Sequence, residues 1–175
     1  MKQPTLLIIL FAATFPQNFA ASQRGAAPFS VTVKTSQDNV KAGSEIGIRI
    51  ILQNTSATDL SMARSNGVSQ GESHYLIDVR DSSGLTAPET EYERRITGKE
   101  NGKRTVIYGS DIFFTLKPHE TLEDEALLNK LYDLRRPGKY TVQVSREIPK
   151  QLGGGTVKSN ILTITVVEPT PEPPK

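Results

Sequence analysis

The residues in this chain that could do acid–base or nucleophilic chemistry are few. His74 and His119 are the only histidines. A Ser–His–Asp triad needs a nucleophile, a base and an orienting acid that converge. Neither histidine stands at a suggestive spacing from Ser or Asp. His74 reads as the cap of a strand entrance, and His119 as part of a surface turn. There is no cysteine, so thiolate metal sites, Cys nucleophiles, disulfides and acylated Cys anchors are excluded.

Three clusters remain. Glu120, Glu123, Asp124 and Glu125 are acidic, but they lack the Gly-bearing loop of a calcium site. On a strand, alternate residues point to opposite faces, so a solvated edge that resists strand pairing is the better reading. Arg94, Arg95, Lys99, Lys103 and Arg104 are basic, with Glu91, Glu93 and Glu100 interleaved. A solvated hairpin is the default there, and binding of an anionic surface polymer is the sharper alternative. Gly153-Gly154-Gly155 lacks the strand-to-helix context of a phosphate loop. Asn54-Thr55-Ser56 matches a glycan acceptor in a eukaryotic secretory host. No residue is assigned to catalysis, a cofactor or a metal, and no cofactor is expected.

The bulk properties narrow the classes further. Lys plus Arg number 21 against 19 Asp plus Glu, a balance that argues against nucleic-acid binding. Mean hydropathy is −0.36. Trp is absent, which weakens a sugar-stacking platform.

The elements come next. Lys2, the apolar run Leu6 to Phe15, and the small residues Ala20, Ala21 and Ser22 follow a secretory-signal layout. The run is shorter than the ~20 residues a membrane span needs. Residues 1–21 therefore read as a signal and 22–28 as a flexible lead-in. Residues 29–167 read as one β domain, and 168–175 (EPTPEPPK) as an extended disordered tail. The exported product is expected to be secreted or periplasmic, with no membrane span after cleavage.

Period-2 alternation marks strands in which Phe29, Val31 and Val33, then Ile46, Ile48, Ile50 and Leu52, face inward. Tyr75, Ile77 and Val79 repeat the pattern, as do Tyr140, Val142 and Val144. Arg104 to Tyr108 and Ile112 to Leu116 are further candidate strands. In the final strand, Thr156 to Val167, both faces carry apolar residues. Residues 60–73 are weakly patterned, and 88–104 read as a long loop or mobile hairpin. Thr121 to Leu128 fits a strand followed by a helical turn near residues 129–132, although a capped helix also fits. About seven to eight short strands and no convincing long helix predict an all-β, antiparallel, immunoglobulin-like sandwich without a disulfide.

Leu134-Arg-Arg-Pro-Gly-Lys-Tyr140 resembles the tyrosine corner of immunoglobulin-like and fibronectin-type domains. That resemblance implies a Tyr140 hydroxyl bond to backbone near residues 129–134. Lys41-Ala-Gly43, Leu52-Gln-Asn54-Thr-Ser56, Tyr75-Leu-Ile-Asp-Val-Arg-Asp81, Leu131-Tyr-Asp-Leu134 and Val157-Lys-Ser-Asn160 extend it. Together these motifs resemble exported bacterial immunoglobulin-like domains that mostly carry no assigned activity. Their order is also loosely similar to the BsuPI-type proteinase inhibitor domain, whose Trp residues this chain lacks. The resemblance implies a non-enzymatic binding or accessory domain that engages a protein or envelope component through loops or a sheet edge. A secreted inhibitor working through residues 54–59 and 88–102 is the alternative, and a small hydrolase the third reading.

Overall fold

A computed structural model describes residues 26–66, 75–97 and 110–169. The signal, His74 and the Arg104–Tyr108 candidate strand lie outside the described residues, as do Lys99, Glu100, Lys103 and most of the tail.

β1 (Phe29–Lys34), β3 (Gly47–Asn54) and β7 (Thr121–Leu127) form one antiparallel sheet in the order β1-β3-β7. The other sheet runs β2-β9-β8-β5, from β2 (Asn39–Lys41), β5 (Leu76–Asp81), β8 (Gly138–Glu147) and β9 (Thr156–Val167). β4 (Leu60–Asn66) and β6 (Ser110–Leu116) pair with each other as a two-stranded ribbon. The first strand thus changes sheets: β1 pairs with β3, and β2 crosses to run parallel beside β9. With the β5-β8-β9 and β1-β3-β7 sheets face to face, this is an all-β immunoglobulin-like sandwich.

The alternating residues supply the core. Phe29, Val33, Ile48, Ile50 and Leu52 from one sheet are buried against Val79, Val142, Val144, Ile164 and Val166 from the other. β9 needs a correction of phase to join them. Opposite Val144, the strand carries two residues, Ser159 and Asn160. The Ser159 hydroxyl is buried and takes the Val144 N–H at 2.9 Å. Beyond this bulge the inward phase passes to Leu162, Ile164 and Val166, which leaves Ile161 exposed. The two apolar faces in the sequence are explained by that shift.

Four other expectations change. The described residues hold nine strands, because Leu60–Asn66, weakly patterned in sequence, pairs as β4, and Asn39–Lys41 is short enough to hide between turn residues. One pairing is parallel rather than antiparallel. Residues 91–96 form helix α1 (Glu91–Ile96) instead of loop. The Thr90 hydroxyl accepts the Glu93 N–H at 3.2 Å, and the Glu91/Glu93 and Arg94/Arg95 ends match the helix dipole. The Ala27–Pro28 end of the lead-in is tied down: both carbonyls accept bonds from Thr55.

β7 ends in helix α2 (Leu128–Leu131), as the strand-then-turn reading expects. Leu128 and Leu131 are buried and plug one end of the sandwich. At the other connection a 3-10 turn, Lys150–Leu152, is followed by three glycines with φ of 103°, 67° and 105°. Side chains rarely adopt that left-handed region, and the Gly153 and Gly154 N–H groups donate to the Lys150 and Pro149 carbonyls, so the glycines close the β8–β9 hairpin.

Candidate functional site

The structure disperses the sequence candidates. His119 occupies an exposed turn at φ 66°. Its N–H donates to the Asn54 carbonyl, and its own carbonyl accepts from Gln53 Nε2 at 3.3 Å. The acidic cluster is split by the pleat. Glu123 and Glu125 face solvent on β7, the end strand of its sheet, and Arg49 lies 3.5 Å from Glu123. Asp124 points inward and is buried. Among the described residues no group of three or more His, Asp or Glu is placed to hold a metal ion, and no helix is long and apolar enough to cross a membrane.

Asn54 is fully buried, which overturns its reading as a glycan acceptor. Its Nδ2 donates to the carbonyls of Thr58 and Leu116 at 2.8 and 2.9 Å. Its Oδ1 accepts from the Ser56 N–H and hydroxyl. The side chain therefore joins β3 to the root of the β4–β6 ribbon, and no nitrogen valence faces solvent.

Two polar sites invite a chemical reading. The first is buried: Tyr75 Oη donates to Asp124 Oδ2 at 3.2 Å, and the Arg146 guanidinium lies 5.0 Å from the Tyr75 ring centroid. Arg146 Nη2 also donates to the Ala63 carbonyl at 3.0 Å. Burial pushes the Tyr75 phenol up to about 12. At neutral pH it is a hydrogen-bond donor and not a base or nucleophile. The arrangement joins β4, β7 and β8 and acts as a polar rivet.

The second is an open pocket of about 420 Å³ between α1 and α2, lined in part by Ile46, Thr90, Arg94, Asn129, Tyr132 and Arg135. Its polar groups serve the chain itself. Asn129 Oδ1 takes the Ile46 N–H at 3.0 Å, and the Thr90 hydroxyl donates to the Lys130 carbonyl at 2.6 Å. Arg94 Nη1 donates to the Glu89 carbonyl at 3.0 Å. Arg135 forks onto Asp133 at 2.8 and 2.7 Å, which holds that carboxyl down at about 2. Of the basic cluster, Arg94 and Arg95 are on α1. The ring of Tyr92 is approached by Lys130 at 4.3 Å and Arg95 at 6.0 Å.

The tyrosine corner is present but relocated. Tyr140 Oη donates to the Arg136 carbonyl at 2.9 Å, two residues past the expected stretch and just before the Pro137-Gly138 pair. Tyr132 makes the cross-sheet bond instead, from its Oη to the Ile77 carbonyl at 2.6 Å.

The sheet edges are the remaining surface on which a partner could pair, and an unpaired edge is a template for another strand. On β1, the Asn160 amide takes the Val33 N–H at 2.9 Å and gives to its carbonyl at 3.1 Å. β5 is closed by Tyr132 at Ile77, and by residues 85–87, whose backbone bonds to Asp81 and Val79. β2 is three residues long and ends in Lys41. β7 carries Glu123 and Glu125. β4 is held by Arg146 at Ala63. Among the described residues β6 has no such guard: Ile112-Phe-Phe-Thr-Leu116 has no charge. Ile112 is 47% exposed and Phe113 78%. Among the described residues it pairs with β4 alone.

No protein-family model matches the sequence, and no curated protein matches it either. Among solved structures the chain is similar to the ASH / PapD-like domain of human CEP192 (PapD-like domain 7), at 14% identity and a TM-score of 0.37. That match covers 97% of this chain and 100% of the other. At that score the likeness carries no argument, and the fold assignment rests on the strand order above.

Proposed function

We propose that this protein is an exported, non-enzymatic binding domain that engages a protein or envelope component through the free edge of β6. The observation that carries the reading is the contrast among edges. Among the described residues five are capped, charged, shortened or tied, and one is left apolar with Phe113 exposed on it. An exposed aromatic beside open strand pairing is the combination that β-augmentation uses: backbone bonds supply affinity and side-chain contacts supply specificity. The buried Tyr75–Asp124–Arg146 cluster and the α1–α2 pocket support the same reading, since their polar groups hold the fold together. Export rests on the charge, apolar run and small residues of 1–21.

The test is affinity capture from cell envelope and culture fluid, with the exported protein and its Phe113→Ser variant as parallel baits. A protein retained by the first and lost by the second supports the reading. Hydrolytic turnover that co-purifies with the protein and survives Phe113→Ser would end it.

A further inference from the structure

We infer that the β6 edge pairs with the β6 edge of a second copy of this chain, joining two ribbons into one four-stranded sheet. This rests on the reading of β6 as the binding edge and names its occupant. The argument is one of self-complementarity. An antiparallel pair of identical strands has a two-fold axis, so each residue meets the one equidistant from the centre. Centred on Phe114, the segment Asp111-Ile-Phe-Phe-Thr-Leu-Lys117 pairs with itself without a mismatch. Ile112 meets Leu116 of the second copy. Phe113 meets Thr115, an aromatic against a β-branched residue, and Phe114 meets itself. At each end Asp111 stands at the register position of Lys117, so opposite charges bracket an uncharged apolar run. Cross-strand pairs of these kinds stabilise antiparallel ladders, and like charges in the same positions weaken them.

The ribbon suits such a contact. It belongs to neither main sheet, and it is anchored at its root by Asn54 and on β4 by Arg146. Its outer face already pairs Ser61 with Thr115 across 3.0 Å. A second ribbon added at β6 would continue that face and cover Phe113 from the side. A half-step in either direction sets Asp111 against Leu116 or Lys117 against Ile112, and every displacement breaks both Asp111–Lys117 pairs, so the flanking charges also fix the alignment.

Sedimentation analysis of the full chain, as the cell processes it, tests this. A concentration-dependent monomer–dimer equilibrium is expected, and Phe113→Ser is expected to be monomeric with an unchanged circular dichroism spectrum. Asp111→Lys and Lys117→Asp should each weaken the dimer by about tenfold, since each sets like charges opposite at both ends. The combined Asp111→Lys/Lys117→Asp variant should restore it. Failure of the combined variant to restore association overturns the register, and with it the inference. A wild-type chain that stays monomeric at its highest soluble concentration overturns the self-pairing. If that monomer still captures a different protein through Phe113, the binding-edge reading survives and only the occupant is wrong. If it captures nothing, both fall.

Discussion

The Tyr132 hydroxyl donates to the Ile77 carbonyl at 2.6 Å, joining the crossover after α2 to the edge strand of the opposite sheet. The bond is buried, and burial pushes the Tyr132 phenol well above the usual tyrosine range. Tyr140, by contrast, bonds only four residues back, to Arg136, at a partly exposed site. The bond that pins sheet to sheet therefore belongs to Tyr132, and the corner at Tyr140 is a local brace for the Pro137-Gly138 turn.

The two tyrosines should separate in stability measurements. Tyr132→Phe leaves the buried Ile77 carbonyl without its donor and should cost about 1–3 kcal/mol. Tyr140→Phe should cost about 0.5–1.5 kcal/mol, because water can replace the lost donor. Urea unfolding of the two variants compares them directly. A larger loss at Tyr140 would reverse the assignment.

Alkaline unfolding follows from the same groups. Tyr75 is raised from 10.0 to about 12, mainly by burial, and Tyr132 and Tyr140 move in the same direction. In this window the unfolded chain releases phenolic protons that the native chain retains, so stability falls as pH rises. It is fully present below pH 10 and is lost as pH climbs through 12. A two-unit shift at Tyr75 amounts to about 3 kcal/mol. Absorbance of tyrosinate and circular dichroism should change together above pH 10. Free ionisation of these three phenols in a folded protein would contradict the burial.

Asn54→Ala should destabilise by about 2–4 kcal/mol, since the Thr58 and Leu116 carbonyls both lose a donor inside the fold. The same geometry predicts that folded protein made in a eukaryotic secretory host carries no glycan at Asn54. Intact-mass spectrometry before and after glycosidase treatment reads this. A folded, glycosylated species would contradict the buried placement.

Asn160→Ala should uncap β1. Its amide completes both backbone groups of Val33 across the gap between the sheets. Loss should cost about 1 kcal/mol and speed amide exchange at Val33 more than at its neighbours. Unchanged exchange there would show that β1 is guarded by something else.

Much of the fold was legible because half-buried strands write their faces into the sequence. Ile46, Ile48, Ile50 and Leu52 alternate and are buried as a set, as are Tyr140, Val142 and Val144. β2 was missed because three residues carry too little period, β4 because Leu60–Asn66 alternates only weakly, and α1 because four charged residues among its six look like a solvated loop. Thr90 with Glu93 three residues later was the available helix signal. The phase shift in β9 could not be read, since Ser159 gives no apolar cue and a bulge depends on the partner strand. The candidate site was less legible still. A guarded edge differs from an open one only once the neighbours of Val33, Ile77 and Ala63 are known in space. The charge-free run Ile112–Leu116 was visible as a strand, but not as the unguarded one.

The account's central claim is that β6 is the edge at which this domain associates. Hydrogen–deuterium exchange, resolved to single amides and followed as protein concentration rises or a captured partner is added, tests it most directly. The account predicts new protection along residues 112–116, with the edges at Val33, Ile77 and Glu123 unchanged. Protection that appears at those edges while β6 continues to exchange freely would contradict it.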